Sequence, residues 1–475
     1  MRFTRILPFL LVLFLAGCAG KSEPVHPDQM EFPPLVFQTP EVDREELDNG
    51  MFLYLQENRE LPLVEITALV GAGSIGEPAE KAGLGSLFAT ALETGGAGDR
   101  KPGQLEALLE QIAARLNVST DTYTTTIRLS LRAEDLPIGL EILSDILRQP
   151  RFDADRLEVG RRQLIERIRR RNDDPSSVAS RLLRENVYGE HPLGVSPVEE
   201  SVNRIERQDL LAFHSEFFHP NNLKIAVTGD FQKADLFSGL QGVFDNWPTG
   251  DFDRQTIPPV DAESQGQVVV ATKEIPQTTI VMGHLGIDKD DPDLFPVRVM
   301  NYILGGSGFN SRLMREVRSN RGLAYSVYSR YQAGRRLPGM FVAGSETGNA
   351  TTIEVVRLMR RIMKQMRQEP VSGEELELAK ESLVNSFVFA FTDMHSVVAR
   401  KMRLDHFDYP EDYLETYRER VAAVTAEDVL RVAQAHIHPD HLKIVLVGSP
   451  DEFETPVDSL DFPVEEVSIK GEENN

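Results

Sequence analysis

"HPNNLKIAVTGD" (His219 to Asp230) and "HPDHLKIVLVGS" (His438 to Ser449) share His, Pro, Leu, Lys, Ile and Gly in register. Each segment follows a helix-like stretch with an acidic cap region, "RIERQDLLAFHSEFF" in the first half and "AVTAEDVLRVAQAHI" in the second. Further upstream, "ENRELPLVEITALVGAG" matches "TKEIPQTTIVMGHLGI" at a similar offset. This repeated order predicts that one domain is duplicated along the chain.

The periodicity within each copy indicates the fold class. "PLVEITALV" and "TYTTTIRLSLRA" alternate as strands do, whereas "PGQLEALLEQIAARL" and "LPIGLEILSDILRQ" carry apolar residues at helical spacing. Neighbouring strands and paired helices predict an α+β fold with two homologous domains, each an antiparallel sheet covered by helices. A doubly wound parallel sheet is the alternative.

The N-terminus predicts export. "MRFTR" is basic, "ILPFLLVLFLAG" is an apolar run too short to span a membrane comfortably, and "LAGC" closes it at Cys18. This order resembles a bacterial lipoprotein signal, in which Cys18 becomes the acylated N-terminus; an ordinary signal peptide is the alternative. Because Ala19 follows the cysteine, the resemblance favours the outer membrane. We expect a periplasm-facing protein of the cell envelope, anchored through its N-terminal lipid.

Breaks in composition divide the chain. The stretch after Cys18 is rich in Pro, Glu and Ser without a period, and "NWPTGDFDRQTIPPVDAESQGQ" (Asn246 to Gln267) accumulates Pro, Gly and Asp. We expect a signal peptide (1–18), a flexible tether (19–43), an N-terminal domain (44–248), an interdomain linker (249–267), a C-terminal domain (268–455) and an acidic, solvated tail (456–475).

Charge and cysteine content limit the partners and the source of stability. The 475 residues carry a net charge of −23, which argues against nucleic acid and is compatible with a basic peptide. Cys18 is the single cysteine, so stability must come from buried cores and not from intramolecular disulfides.

Longer motifs point to a family. After the tether, nearly the whole chain resembles the insulinase/pitrilysin zinc metallopeptidases, which include mitochondrial processing peptidase. The resemblance rests on the duplicated domain and on three stretches: "GAGSIGEPAEKAGLG", "RRNDDP" and "NYILGGSGFNSRLMREVRSNRGLAYSVYS".

The metal motif of that family is missing. Active members carry HxxEH on the first helix, where two His residues four apart share Zn²⁺ and the Glu deprotonates the bound water. In "GLGSLFAT", Ser86 and Thr90 stand at the His positions and Ala89 at the Glu position. The family's third ligand, a Glu on a later helix, aligns with Arg167, with Glu166 beside it. A cation there opposes metal binding, so we expect no metal in this chain.

The histidines of the two predicted domains do not suggest a zinc site elsewhere. Their spacing does not fit one helical face, or they lie at helix-to-strand junctions, or they are isolated, and we interpret them as structural. They are His191, His214, His219, His284, His395, His406, His436, His438 and His441.

One functional element of the family is retained by resemblance. Active enzymes need a second domain that supplies an Arg and a Tyr across the cavity from the zinc, and those positions correspond to Arg318 and Tyr325. A guanidinium can bind a peptide carbonyl, and a phenol can donate to the oxygen that becomes negative in the transition state. Arg321 is a near alternative, and a purely structural role for the pair stays open. "GGSG" (Gly305 to Gly308) lacks the Lys-Ser/Thr of a P-loop.

These features resemble the subunit without HxxEH in heterodimeric family members. We therefore expect a catalytically incomplete subunit that binds unfolded peptide and supports proteolysis by an HxxEH-bearing partner. Zinc is expected in that partner and no cofactor in this chain. The alternatives are a structural or scaffolding homologue and a stand-alone peptide-binding lipoprotein.

Overall fold

The computed structural model of the protein describes residues 41–251, 257–261, 265–391 and 393–469. The expected signal peptide, Cys18 and nearly all of the tether lie outside the described residues, as do parts of the linker and the last six residues. Among the helices that are described, none has both the length and the apolar character needed to cross a bilayer. Both halves of the repeat belong to one compact unit.

Two six-stranded sheets repeat the same arrangement. The first sheet consists of β1 (Asp43–Glu46), β2 (Phe52–Glu57), β3 (Leu63–Val70), β4 (Arg115–Thr120), β5 (Thr125–Arg132) and β6 (Leu223–Gly229). The second consists of β7 (Gln267–Thr272), β8 (Gln277–Leu285), β9 (Ala324–Gln332), β10 (Met340–Gly348), β11 (Lys443–Gly448) and β12 (Val464–Val467). The strand order is β1-β2-β6-β3-β5-β4 in the first sheet and β12-β7-β11-β8-β10-β9 in the second.

The two segments with matching "HP..LK" motifs form β6 and β11, which occupy equivalent positions in their sheets. The predicted α+β fold with two duplicated domains is therefore confirmed. The sheets are mixed, however, because β6 runs parallel to β2, and β11 runs parallel to β7. Each of these strands returns after a long helical crossover, which permits parallel pairing, while the neighbours β3, β5 and β8, β10 pair antiparallel.

Fifteen α-helices occur among the described residues. The first half contains α1 (Leu84–Thr94), α2 (Pro102–Gln111), α3 (Leu136–Arg148), α4 (Ala154–Arg170), α5 (Pro175–Tyr188), α6 (Glu199–Asn203), α7 (Arg207–Phe217) and α8 (Lys233–Phe244). The second contains α9 (Leu294–Asn301), α10 (Arg312–Met314), α11 (Thr352–Met366), α12 (Gly373–Ser386), α13 (Met394–His406), α14 (Tyr413–Ala422) and α15 (Ala426–His436). Two π-helical turns, Tyr302–Gly306 and Arg315–Asn320, extend α9 and α10.

Local sequence explains these helices. In α11, the buried residues Ile353, Val356, Met359 and Met363 recur every three or four positions and cover one face. The start of α15 is fixed by a capping box, in which Thr425 and Asp428 satisfy each other's backbone N–H groups.

The expected acidic tail contributes a strand. Within it, Val464–Val467 forms β12, which pairs with β7 at the edge of the second sheet. The side chains of Val464, Glu465 and Glu466 remain exposed, whereas Val467 is partly buried against the core of the second sheet, so backbone pairing and one apolar contact attach this segment. The acidic tail was expected to be solvated, and pairing with β7 orders its backbone here while three of the four side chains stay exposed.

The two halves interlock through one helix each. Helix α5 of the first half packs on the second sheet, where Val178 and Leu182 share a core with Val281 and Val445. Helix α13 of the second half packs on the first sheet, with Met402 among the partners of that core. Complete burial of such side chains contributes roughly 1.5–3 kcal/mol each. Each half therefore completes the core of the other.

Polar contacts fix α13 at both ends. His395, in its first turn, lies 2.8 Å from the Thr67 hydroxyl and 2.9 Å from the Thr228 hydroxyl, both on the first sheet. Near its last turn, Asp405 accepts hydrogen bonds from Lys224 and from the Tyr54 hydroxyl. The orientation of α13 on the first sheet is thus set by specific bonds as well as by apolar packing.

Candidate functional site

Helix α1 is held at its N-terminus by a carboxylate from the preceding loop. Gly83 has a φ of 103°, a left-handed conformation that favours glycine, and the chain turns there into the helix. Glu77 accepts hydrogen bonds from the backbone N–H groups of Gly83 at 2.7 Å and Gly85 at 2.6 Å. Burial raises the pKa of Glu77, whereas these backbone donors lower it. Glu77 thereby supplies partners for helix-end donors that would otherwise be unpaired.

The positions of the expected zinc motif hold no metal ligand. Ser86 is exposed, Ala89 is buried, and Thr90 is partly buried on the same helix. The Thr90 hydroxyl donates to the Ser86 backbone carbonyl at 3.1 Å, so it is engaged within the helix. A methyl group at Ala89 can neither bind metal nor accept a proton from water.

Helix α4 packs directly against α1. A Cβ atom at Gly160 would lie 3.1 Å from the Thr90 methyl carbon and 3.3 Å from a Leu87 methyl carbon. The sequence-predicted third position, Arg167, lies near the end of α4 and is exposed. The adjacent Glu166 accepts from Arg170 Nε at 2.6 Å. The carboxylate nearest to the family's ligand position is thus paired with an arginine.

These residues do not fit a zinc ion. Zinc in catalytic sites requires three protein ligands drawn from His, Cys and carboxylates, and the first helix offers a hydroxyl, a methyl and another hydroxyl. We therefore derive no metal-dependent step for this chain.

A different cluster carries ligand-type side chains. Among the described residues, Asp291, Asp293 and His436 form the one group whose three ligand atoms could meet a common ion. Asp293 lies 2.7 Å from His436 Nε2 and 2.8 Å from an Arg431 guanidinium nitrogen. Because the arginine already neutralises this carboxylate, we assign an ion-pair network here.

Several other histidines have protein partners. Their ring nitrogens contact the Pro258, Leu147 and Leu285 carbonyls (His191, His214 and His284) and two threonine hydroxyls (His395). Burial lowers the pKa of His284 to about 3, and its Nε2 accepts from the His438 backbone N–H at 3.2 Å. These contacts occupy ring nitrogens that a metal ion would need.

Arg318 and Tyr325 meet on the surface of the second half. The Arg318 guanidinium carbon lies 4.4 Å from the centre of the Tyr325 ring and 4.6 Å from that of Phe309. Tyr325 is 80% exposed and Phe309 is 65% exposed. We call these three residues the aromatic–arginine stack. Exposed aromatic rings around a cation are typical of binding surfaces.

Arg318 is free of carboxylate partners, and Arg321 is not. Among the described residues, no acidic group lies within ion-pair distance of Arg318, whereas Arg321 approaches Glu354 at 3.4 Å. The guanidinium of Arg318 therefore keeps donors available for an external carbonyl.

Two turns and one ion pair bring the stack together. Gly308 and Gly322 have φ values of 58° and 65°, which let the chain turn before Phe309 and before β9. Arg312, in α10, forms two hydrogen bonds with Glu375 of α12 at 2.8 and 2.7 Å. This pair fixes the helical segment that ends in the π-helical turn carrying Arg318.

Two residues of these sites were not expected from the sequence. Phe309 follows the glycine cluster "GGSG" directly, and an aromatic residue after such a turn was the available signal. Glu77 lies in the loop before α1, and its capping role depends on the fold of that loop.

Comparison with known proteins identifies the family to which this architecture belongs. Residues 53–200 match the family profile described as insulinase (peptidase family M16), and residues 204–383 match the peptidase M16 inactive domain. The chain belongs to peptidase family M16. With its zinc-motif positions replaced, this M16 chain is an inactive homologue of the family's peptidases.

Similar M16 proteins cover most of the chain. The "Non-peptidase homolog YmxG" of Helicobacter pylori is 26% identical over 401 residues, covering 83% of this chain and 91% of the relative. The "Uncharacterized zinc protease YmxG" of Bacillus subtilis is 24% identical over 361 residues, covering 76% and 87%. A solved peptidase M16 inactive domain from Pseudomonas fluorescens superposes with a TM-score of 0.79 at 25% identity, covering 88% of this chain and all of that one.

Proposed function

We propose that this M16 homologue is a catalytically incomplete subunit that binds unfolded peptide and supports proteolysis by a separate HxxEH-bearing subunit. The observation that carries the proposal is a contrast between two regions of one chain. Ser86, Ala89 and Thr90 remove the metal chemistry, while Arg318 keeps a partly exposed guanidinium against two exposed rings.

The aromatic–arginine stack has the chemistry to bind a peptide backbone. The planar guanidinium of Arg318 presents several N–H donors in a fixed arrangement and binds a carbonyl oxygen. The Tyr325 hydroxyl can donate to the same or a neighbouring oxygen as negative charge develops on it. The face of Phe309 offers apolar surface to a substrate side chain. In a complex, these groups would act on a substrate whose bond is broken by the partner's zinc.

The stack also lies beside a sheet edge. Tyr325 is the second residue of β9, which is the outermost strand on its side of the second sheet. An extended peptide can pair with such an edge through backbone hydrogen bonds while its side chains meet neighbouring groups. This geometry supports peptide binding at the same place as Arg318.

We propose further that the subunit is held at the membrane. The lipoprotein-like N-terminus ending at Cys18 supports a lipid-anchored, periplasm-facing location, and Ala19 supports the outer membrane. A tether of about two dozen residues would let the folded body reach a partner and substrate beyond the bilayer surface.

The test uses the complex with an HxxEH-bearing homologue from the same cell envelope and a fluorogenic unfolded peptide. In that complex, we expect Arg318→Ala and Tyr325→Phe to lower kcat by about 10²- to 10³-fold each, because each removes a donor to the transition state. Assembly, measured by size-exclusion chromatography, should persist.

Matched variants control for local structure. Arg321→Ala removes a neighbouring arginine that is already paired, and Tyr328→Phe removes a hydroxyl from the same strand. Both are expected to retain turnover near that of the unmodified complex. Unchanged turnover in Arg318→Ala and Tyr325→Phe would show that the pair is structural and would contradict the proposed function.

A further inference from the structure

A cavity that shares no residue with the aromatic–arginine stack is lined by arginines and aromatic rings. It has a volume of about 330 Å³ and lies among α9, α13, α14 and the turn between β9 and β10. Four of its eleven lining residues are arginines, five are aromatic and two are leucines. None of these described lining residues is acidic, although the whole chain carries a net charge of −23. The concentration of positive charge is therefore local.

Two of the arginines form no ion pair with the residues that the structure describes. Arg400 and Arg403 lie on α13, and the Arg400 guanidinium carbon is 6.0 Å from the centre of the Phe391 ring. Arg335, from the β9–β10 turn, pairs with Asp121 of the first half at 3.2 Å. Burial lowers the pKa of Arg403 and the nearby Arg335 lowers it further, whereas the Asp121 carboxylate offsets part of this effect. Like charges have been brought together without full internal compensation.

The aromatic side of the cavity is already ordered. Arg298 of α9 donates to the Tyr413 hydroxyl at 2.7 Å, and its guanidinium lies 5.4 Å from the Tyr417 ring centre. Tyr417 stacks on Phe387 with ring centres 4.3 Å apart and planes 10° apart. These stacked rings form an apolar wall. Arg298 is thus satisfied by the protein, in contrast to Arg400 and Arg403.

We propose that this cavity binds a small organic anion. Its carboxylate or phosphate group would pair with Arg400 and Arg403, and its apolar or aromatic body would lie against the wall of tyrosine rings. Arginine forks bind both kinds of anion through paired, charge-assisted hydrogen bonds. The volume falls at the lower end of small-molecule sites, which span roughly 300–1,000 Å³, and it is too small for a folded partner.

The location gives such an anion a structural effect. Arg403 belongs to the helix that covers the first sheet, Arg298 belongs to the second half, and Arg335 contacts the first half through Asp121. An anion held by these residues would join elements of both interlocked halves. A ligand that binds only the native state also stabilises that state against unfolding.

The test titrates the purified protein with phenyl phosphate, benzoate and the neutral benzyl alcohol by isothermal calorimetry at low ionic strength. We expect at least one of the two anions to bind about tenfold or more tightly than benzyl alcohol, because a charge-assisted hydrogen bond contributes that much. Inorganic phosphate, which lacks the ring, should bind more weakly than phenyl phosphate. Comparison of the two anions identifies whether carboxylate or phosphate is preferred.

Three variants locate the site. Arg403→Gln and Arg400→Gln should each weaken binding of the preferred anion by about ten- to a hundredfold, and neither breaks an ion pair within the described protein. Arg361→Gln, on the exposed face of α11, should leave affinity unchanged. Equal binding of anions and benzyl alcohol, or equal affinity in Arg403→Gln and the unmodified protein, would overturn the proposal. An equal loss in Arg361→Gln would show non-specific attraction and overturn it as well.

Discussion

At α1, the residues that maintain the helix are different from the residues at which the zinc chemistry has been lost. Gly83 and Glu77 preserve the turn and the N-terminal hydrogen bonds of the helix. Ser86 and Thr90 are compatible with its exposed side, and Ala89 with its buried side. A short helix needs its end satisfied and its apolar face covered, and neither requirement depends on a metal ligand. The fold can therefore persist after the zinc motif has gone.

Substitution of Glu77 tests this explanation. In Glu77→Gln, one amide oxygen can still accept, but the new NH₂ group faces a backbone N–H donor at Gly83 or Gly85. We expect the free energy of unfolding to fall by about 1–3 kcal/mol, measured by urea denaturation. The exposed Glu80→Gln is the matched control and should change stability little. Equal stability of the two variants would contradict the capping role.

At the scale of elements, the ion pair between α10 and α12 positions the π-helical turn that carries Arg318. Glu375 receives two hydrogen bonds from Arg312, and it also caps its own helix with Ser372. Hydrogen bonding by Arg312 lowers the pKa of Glu375 to about 2. The charged form is thus stabilised by the folded state.

This shift predicts a pH-dependent contribution to stability. An unfolded Glu has a pKa of about 4.3, so the stabilisation is complete above that pH and is lost as pH falls toward about 2. Glu375→Gln should lower the free energy of unfolding by about 1–3 kcal/mol at pH 7, and the difference from the unmodified protein should shrink below about pH 4. Denaturation curves across this range measure it, with exposed Glu374→Gln as control. A difference that stays constant with pH would exclude the ion pair as its cause.

The sequence predicted elements better than it predicted their partners. Strands β6 and β11 follow from a repeated motif, and α1 follows from a glycine entry and apolar spacing. The packing of α5 on the second sheet does not follow from the sequence, because an apolar helix face does not specify which of the two sheets it covers. The same limit applies to the stack: Arg318 and Tyr325 were named by resemblance, but the contribution of Phe309 requires the turn at Gly308. The edge strand β12 was not predicted, because its acidic composition gives no sign of the backbone hydrogen bonds with which it pairs with β7.

At the scale of the whole molecule, the exchange of α5 and α13 makes the halves mutually dependent. Each sheet is covered on one face by a helix from the other half of the chain. Cores shared in this way favour a single cooperative transition, since loss of one half exposes apolar surface of the other.

Leu182→Ala tests this dependence. Leu182 is 4% exposed and packs against the second sheet, so its truncation should cost about 2–5 kcal/mol. The single tryptophan, Trp247, lies in the first half and reports on that half alone. We expect its fluorescence and the circular dichroism signal to shift together to a lower urea midpoint. The partly exposed Leu378→Ala should shift neither, and an unmoved Trp247 transition in Leu182→Ala would indicate independent halves.

The most direct measurement compares the purified chain alone with its complex with an HxxEH-bearing homologue, by zinc content per chain and by cleavage of an unfolded peptide. We predict far less than one zinc per chain and no cleavage for the protein alone, and zinc-dependent cleavage in the complex that exceeds that of the homologue alone. One zinc per chain together with peptide cleavage by the protein alone would contradict the conclusion that its active site is incomplete.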